Sequence, residues 1–147
     1  MAHAHPSQRY REVQVNTASK DDLLLLLVNG GVRFAEAGLA ELKKDEEDVS
    51  LRSEKLVRAQ KIVLELISSL SPVIGLDLYN NLQELYRFTF SRIFEGNVRG
   101  DAELVEEGVI LFRQIRDMWV EAVEKAREER STRPDRPVTN HSISLQG

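Results

Sequence analysis

Residues 22–42, DLLLLLVNGGVRFAEAGLAEL, decide the fold. Asn29-Gly30 between two apolar runs is the sequence of a tight hairpin turn, and on that reading the chain would be built from strands. The residues that follow argue against it. From Phe34 to Leu42 the chain is rich in helix formers and does not alternate apolar with polar, so the whole stretch reads as one helix with glycines inside it. Ser19 is the expected N-cap: its hydroxyl caps an N–H three residues on while Asp22 reaches back, and Asp21 and Asp22 complement the helix dipole. This first helix is expected to run to about Lys44.

Working outward, the acidic run Asp45 to Asp48 breaks the pattern as a solvated loop and offers Asp48 or Ser50 as the next cap. A second helix carries Leu56, Ala59, Val63, Leu66 and Leu70, whose three- and four-residue steps fall on one stripe. Pro72 and Gly75 end it. A third helix, about Leu76 to Val98, places Leu78, Leu82 and Leu85 on one stripe and Tyr79, Tyr86, Phe90 and Ile93 beside it. Gly100 breaks the chain, Asp101 caps the fourth helix, and Leu104, Gly108, Leu111, Ile115, Met118 and Ala122 form its inward row as far as about Arg130. The only prolines, Pro6, Pro72, Pro134 and Pro137, leave two long stretches, each with room for a pair of helices. The expected fold is therefore all-α: an antiparallel up-down four-helix bundle over residues 19–130, an N-terminal arm or cap at 1–18 and a disordered tail at 131–147.

Composition narrows the function. The chain has 147 residues, 41% apolar and 30% charged, with a net charge of -4 and both signs mixed, so it offers no basic footprint for nucleic acid or an anionic membrane. Cysteine is absent, which removes thiolate metal sites and fits a reducing cytosol. Residues 1–7 lack a signal-peptide pattern, and the longest unbroken apolar run, Leu23 to Val28, is far short of the ~20 residues of a membrane span, so stable membrane insertion is not expected. Histidine occurs only at His3, His5 and His141, in the two tails, leaving the expected body without a histidine base or ligand. The carboxylates of the fourth helix lack the Glu-x-x-His partners of a di-metal bundle, and Asn29-Gly30-Gly31 lacks the form of a phosphate cradle. Trp119 beside Met118 reads as core packing. No catalytic residue, metal or cofactor is expected, and the chain does not read as an enzyme.

One feature exceeds a plain bundle. The apolar arc of the third helix spans roughly 240 degrees, where a core-facing stripe needs somewhat more than 100. Tyr79, Tyr86, Phe90 and Phe94 lie toward one flank, and on the second helix Val57, Leu64 and Ile67 flank the core stripe while Ile62 flanks its other side. A contiguous exposed apolar surface marks an interaction site unless the N-terminal segment, through Tyr10, Val13 and Val15, or a second copy of the chain covers it.

The same residues resemble those of a known family, the FliS flagellar export chaperones. Tyr10 to Ser19, Asp22-Leu23 and Asn29-Gly30-Gly31-Val32-Arg33-Phe34 are similar to its opening, and Arg58-Ala59-Gln60-Lys61-Ile62-Val63 with Glu65-Leu66 to its second-helix signature. Asn81-Leu82, Leu85-Tyr86, Arg92-Ile93, Asn97 and Asp101 form the most specific block, and Ile115-Arg116-Asp117-Met118-Trp119 resembles the ending. Where the family usually has Tyr-Asp before the first glycine, this chain has Val28-Asn29. The resemblance, over about Tyr10 to Ala126, implies a cytosolic bacterial chaperone that binds the disordered C-terminal segment of flagellin and delivers it to the export gate, self-associating weakly at most. The residues expected to touch cargo are Gln60, Leu64, Ile67, Tyr79, Asn81, Tyr86 and Phe90, with Tyr10, Val13 and Val15 as lid or export-gate contact. The rival expectation is a self-assembling helical scaffold without flagellin cargo.

Overall fold

The computed structural model describes residues 6–132, with side chains described from residue 19 onward. Helices α1 (Pro6–Leu42), α2 (Val49–Ser69), α3 (Leu76–Arg99) and α4 (Ala102–Thr132) are joined by short connections, one of which holds the 3-10 turn Pro72–Ile74. Among the described residues there is no strand, and Asn29-Gly30-Gly31 lies inside α1. The all-α four-helix bundle is thus the observed fold, while the expected tail lies outside the described residues.

Two caps form as the sequence suggests. Leu51 donates its N–H to Asp48 Oδ1 at 3.0 Å, and Glu103 and Leu104 donate theirs to Asp101 Oδ1 at 3.0 and 3.3 Å, satisfying donors that no carbonyl of the same helix can reach. Gly100 ends α3 in the left-handed region, φ 65 and ψ 35, where a side chain would be strained. The start of α1 is a correction. The helix begins at Pro6, so Ser19 and Asp22 lie within it and cap nothing. Residues 7–18 contain neither glycine nor proline to stop a helix, and Pro6 suits a first turn where its missing N–H costs nothing.

Each helix packs against two others: α1 on α2 and α4, and α3 on the same two. Gly30 and Gly38 of α1 lie against Ile62 and Leu56 of α2, and Arg113 and Arg127 of α4 reach Glu36 and Asp22 of α1. Ser53 and Ile67 of α2 meet Asn97 and Gln83 of α3, and Gly96 and Tyr86 of α3 meet Val105 and Trp119 of α4. In every pair residue numbers rise along one helix as they fall along the other, so touching helices run in opposite directions. Gly31 shows how close they come. A Cβ placed there would sit 2.1 Å from the Phe112 ring, so only glycine lets α1 approach α4 this nearly.

The inward stripe of α2 is as expected, with Leu56, Ala59, Val63 and Leu66 in the core and Leu70 half-buried. Two other stripes are shifted. In α3 the buried residues are Leu82, Tyr86, Thr89, Ile93 and Gly96, whereas Leu78 is 47% exposed and Leu85 half-buried. In α4 the core row is Val105, Gly108, Val109, Phe112, Ile115 and Val123; Leu104, Leu111 and Met118 are only half-buried and Ala122 is exposed. Averaged over a window, Ser19–Leu42 has a mean hydropathy of 1.5 and is long and apolar enough to cross a membrane, which the unbroken-run reading did not register. Here Val28, Val32, Ala35 and Leu39 of that stretch fill the bundle core instead.

Candidate partner-binding surface

Heptad spacing shows which side chains border the groove between α2 and α3. Ser53, Gln60 and Ile67 follow one another at seven-residue steps on α2, and Gln83, Phe90 and Asn97 do so on α3. The outer members are bonded across the helices: Asn97 Nδ2 donates to Ser53 Oγ at 3.3 Å and Gln83 Nε2 to the Ile67 carbonyl at 3.2 Å. The middle members, Gln60 and Phe90, therefore lie on the facing flanks between these two links. Farther out on the same flanks are Val57 and Leu64 of α2 and Phe94 of α3, while Tyr79 falls on nearly the same row as Phe90. Leu64 and Phe94 are each 49% exposed, and Phe94 stacks on Phe90 with ring centroids 6.2 Å apart. The result is an apolar strip along the outside of one helix seam.

Gln60 adds a polar element to that strip. It is only 8% exposed, and its Oε1 is buried without any hydrogen-bond partner. An unpaired buried amide oxygen costs about 1–3 kcal/mol, so the site holds an unused acceptor beside the apolar strip.

One end of the seam is locked. Buried Arg52 donates through Nη1 to both carboxylate oxygens of Glu47, at 2.7 and 2.8 Å, through Nε to Asn97 Oδ1 at 3.3 Å and through Nη2 to the Asn97 carbonyl at 3.0 Å. This ties the α1–α2 connection to the last turn of α3. The other end is open. There the α2–α3 connection exposes Val73 (92%) and the first turn of α3 exposes Leu76 and Leu78, and a cleft of about 600 Å³ opens between α1, α2 and α4, lined by Leu24, Leu27, Leu70, Ile74 and Trp119 among others.

The residues singled out from sequence divide into groups. Gln60, Leu64, Ile67, Tyr79 and Phe90 all sit along the α2–α3 seam. Asn81 is exposed on the opposite flank of α3, with Phe88 and Arg92; Arg92 Nε lies 3.2 Å from Glu107 Oε2 of α4 without hydrogen-bonding geometry, and its guanidinium covers the Phe88 ring at 4.7 Å. Tyr86 is 1% exposed in the core, where its hydroxyl accepts from Trp119 Nε1 at 2.8 Å, so it forms the floor of the end cleft. The side chains of Tyr10, Val13 and Val15, and residues His3, His5 and His141, lie outside the described residues. Val57 and Phe94, which the sequence places on the surplus apolar flanks but not among the cargo contacts, and the exposed apolar tip at Val73, Leu76 and Leu78 belong with the site by position.

The two clear pKa shifts among the described groups arise from structural contacts. The Glu41 carboxylate is held below the usual glutamate range by the Asp48 N–H, which donates to Oε2 at 3.0 Å, and by Lys44 Nζ, which donates to Oε1 at 2.9 Å. Burial pushes the Tyr86 hydroxyl up, against the hydrogen bond from Trp119.

The α2–α3 seam thus leaves an apolar strip and an unpaired buried amide along the outside of a small helical bundle. The chain matches the family model described as flagellar protein FliS over residues 2–126. It is 28% identical over 130 residues to the flagellar secretion chaperone FliS of Bacillus subtilis (strain 168), covering 88% of this chain and 95% of that one. It is 31% identical over 118 residues to the flagellar secretion chaperone FliS of Salmonella typhimurium, covering 78% and 84% respectively. The chain belongs to the FliS family.

Proposed function

We propose that this chain is a cytosolic flagellar export chaperone that takes the disordered C-terminal segment of flagellin onto its α2–α3 seam, keeps it from polymerising and assists its delivery to the type III export gate. Family membership and the names of the relatives support the export role. The observation that carries the binding site is the seam itself: Val57, Leu64 and Phe94 are exposed beside half-buried Ile67, Tyr79 and Phe90, with the Gln60 Oε1 unpaired among them. A disordered segment with helical tendency can lay apolar side chains along such a strip, and one of its backbone N–H groups can donate to Gln60 only after that buried side chain turns outward. Ordering that segment costs about 2–5 kcal/mol, so a long apolar contact is needed to offset it. Asn81, Tyr86 and the cleft above Tyr86 are secondary contacts on this reading, and Tyr10, Val13 and Val15 act as lid or gate contact. No nucleotide, metal, nucleic acid or inserted membrane segment is needed.

Titration calorimetry of the full chain with a peptide of the flagellin C-terminus is the test. Binding at micromolar concentration or tighter is expected. Absence of heat at that concentration, together with a stable oligomer of the chain alone, would favour a self-assembling scaffold instead. Ile67→Asp should weaken the peptide's binding while helical content is kept; unchanged affinity would move the site to another seam.

A further inference from the structure

The border between α1 and α2, on the opposite flank of α2 from the α2–α3 seam, is locally basic in a chain of net charge -4. Lys55 Nζ and the Arg58 guanidinium both stand over the half-buried Phe34 ring of α1, 5.9 and 5.5 Å from its centroid. Like charges one turn apart on a helix repel, and the one carboxylate that answers them is Glu54, 3.3 Å from Arg58. Arg33, the neighbour of Phe34 on α1, is exposed as well. Neither Arg33 nor Lys55 enters an ion pair among the described residues. Between these cations lie Phe34 and Ile62, both half-buried, so the border has an apolar middle and basic edges.

Gly30 leaves a vacancy in that middle. A Cβ built on Gly31 or Gly38 would collide with Phe112 or Leu56, so packing demands glycine at both. A Cβ on Gly30 would meet only Ile62 Cδ1 at 3.8 Å and Arg33 Nη2 at 4.0 Å, which are ordinary contact distances. Alanine would fit there and is the better helix former, so the packing of the bundle gives no reason for the glycine. What glycine leaves is a shallow notch beside Ile62, roofed by the Arg33 side chain. Arg33 is exposed and can swing toward a carboxylate, which opens the notch to an apolar group.

We propose that the α1–α2 border docks an acidic amphipathic segment of another protein, with its apolar side chains on Phe34, Ile62 and the Gly30 notch and its flanking carboxylates on Arg33, Lys55 and Arg58. Helix axes in a bundle stand about 10 Å apart, so the strip is one polypeptide segment wide. An anionic membrane fits it worse, because a plane laid on the strip also meets exposed Asp45 and Glu46 just past the end of α1 and Glu54 beside Arg58. None of these residues belongs to the α2–α3 seam, so the contact stands or falls separately from flagellin binding.

The probe is a capped, fluorescein-labelled peptide of about twelve residues made by repeating Glu-Leu-Glu-Glu, which as a helix sets a row of leucines between glutamates. Fluorescence anisotropy with the purified full chain should show binding at about 10–100 µM that weakens as salt is raised. Arg33→Glu combined with Arg58→Glu should weaken it about tenfold or more. Arg87→Glu combined with Lys125→Glu makes the same change in net charge at exposed positions away from the strip and should leave the affinity as it was. Gly30→Ala fills the notch and should weaken binding about threefold, the scale of one excluded methyl contact, while the unfolding midpoint stays or rises. Unchanged affinity in the Arg33 and Arg58 variant or in Gly30→Ala would overturn the proposal. So would an equal loss in the Arg87 and Lys125 variant, or equal binding of a peptide of glutamate alone, by reducing the strip to diffuse charge. Sedimentation of the chain with phosphatidylserine vesicles in the absence of peptide binding would overturn it in favour of a membrane surface. Self-association that Arg33→Glu with Arg58→Glu abolishes, again without peptide binding, would overturn it in favour of a second copy.

Discussion

Along the outside of the α1–α4 seam, charges bridge the helices: Lys43 to Glu106 at 3.7 Å, Arg113 to Glu36 at 2.7 Å, Arg127 to Asp22 at 2.6 Å and Arg130 to Asp21 at 3.2 Å. Along the outside of the α2–α3 seam stand Val57, Leu64 and Phe94, and the polar links there are few: the Gln83 bond at one end and the Arg52 and Asn97 cluster at the other. Both seams join antiparallel helices around one core. They differ in their borders. Long charged side chains lay their stems over apolar surface while their heads stay in water, so the α1–α4 border is already covered. No ion pair bridges α2 and α3 among the described residues, and Val57, Leu64 and Phe94 stay exposed along that border. Exposed ion pairs contribute little to stability, so their concentration on one seam bears more on which surface stays sticky than on how firmly the bundle holds.

The largest expected effect comes from breaking the closed seam. Phe112 is fully buried and its ring faces Gly31, so Phe112→Ala should lower stability by about 3–5 kcal/mol in chemical denaturation. A loss under about 1 kcal/mol would show that α1 collapses onto the vacancy and that Gly31 does not define the approach of the two helices. Next in size is the open seam. Leu64→Asp combined with Phe94→Asp should reduce affinity for a flagellin C-terminal peptide by about a hundredfold while leaving the unfolding midpoint nearly unchanged, because both side chains are half in water already. A large fall in stability with intact binding would reverse the roles assigned to the two seams.

How far the sequence revealed this contrast differs by helix. The α2 stripe was legible because only one row of its residues is apolar at strict three- and four-residue steps. In α4 two apolar rows run one residue apart, Leu104 with Leu111 and Val105 with Val109 and Phe112, and hydropathy alone does not say which is inside. Gly31 decides it, since the Phe112 ring fills the space that a side chain would occupy. In α3 the apolar arc is too wide for its centre to be read: Leu78 stands in the exposed first turns, while Thr89 is buried by giving its hydroxyl to the Leu85 carbonyl at 2.8 Å. Surplus apolar surface could therefore be foreseen, but not which aromatic remains outside. Tyr86 and Phe90 look equivalent on a helical wheel, and the Trp119 indole that takes Tyr86 inward belongs to a different helix. Gln60 was legible as a site residue only through family likeness, because an unpaired amide is a property of three-dimensional surroundings.

The locked end of the bundle gives a pH test. Hydrogen bonds from Asp48 and Lys44 hold the Glu41 carboxylate below its usual range, so the ionised form is favoured in the folded chain. Its contribution is fully present above the ordinary glutamate range and is lost as pH falls through the depressed folded value. Glu41→Gln should accordingly lower the urea midpoint at pH 7 and leave it close to the parent's at a pH where both chains hold a neutral group. An equal difference at both pH values would mean that shape, not charge, makes Glu41 useful at this end.

The smallest effects belong to the ion pairs themselves. Arg113→Ala or Arg127→Ala should cost less than about 1 kcal/mol each, and that cost should shrink further in high salt, because the partners are substantially exposed and screened. What makes these variants informative is the peptide titration. If charge only decorates the α1–α4 border, flagellin peptide affinity stays as in the parent chain. If the arginine stems are what keep cargo off that border, removing Arg113 uncovers apolar surface and a second, weaker binding event joins the first in the isotherm. The first outcome leaves the apolar strip of α2 and α3 as the sole selector between the seams; the second makes the charged border an active part of the selection.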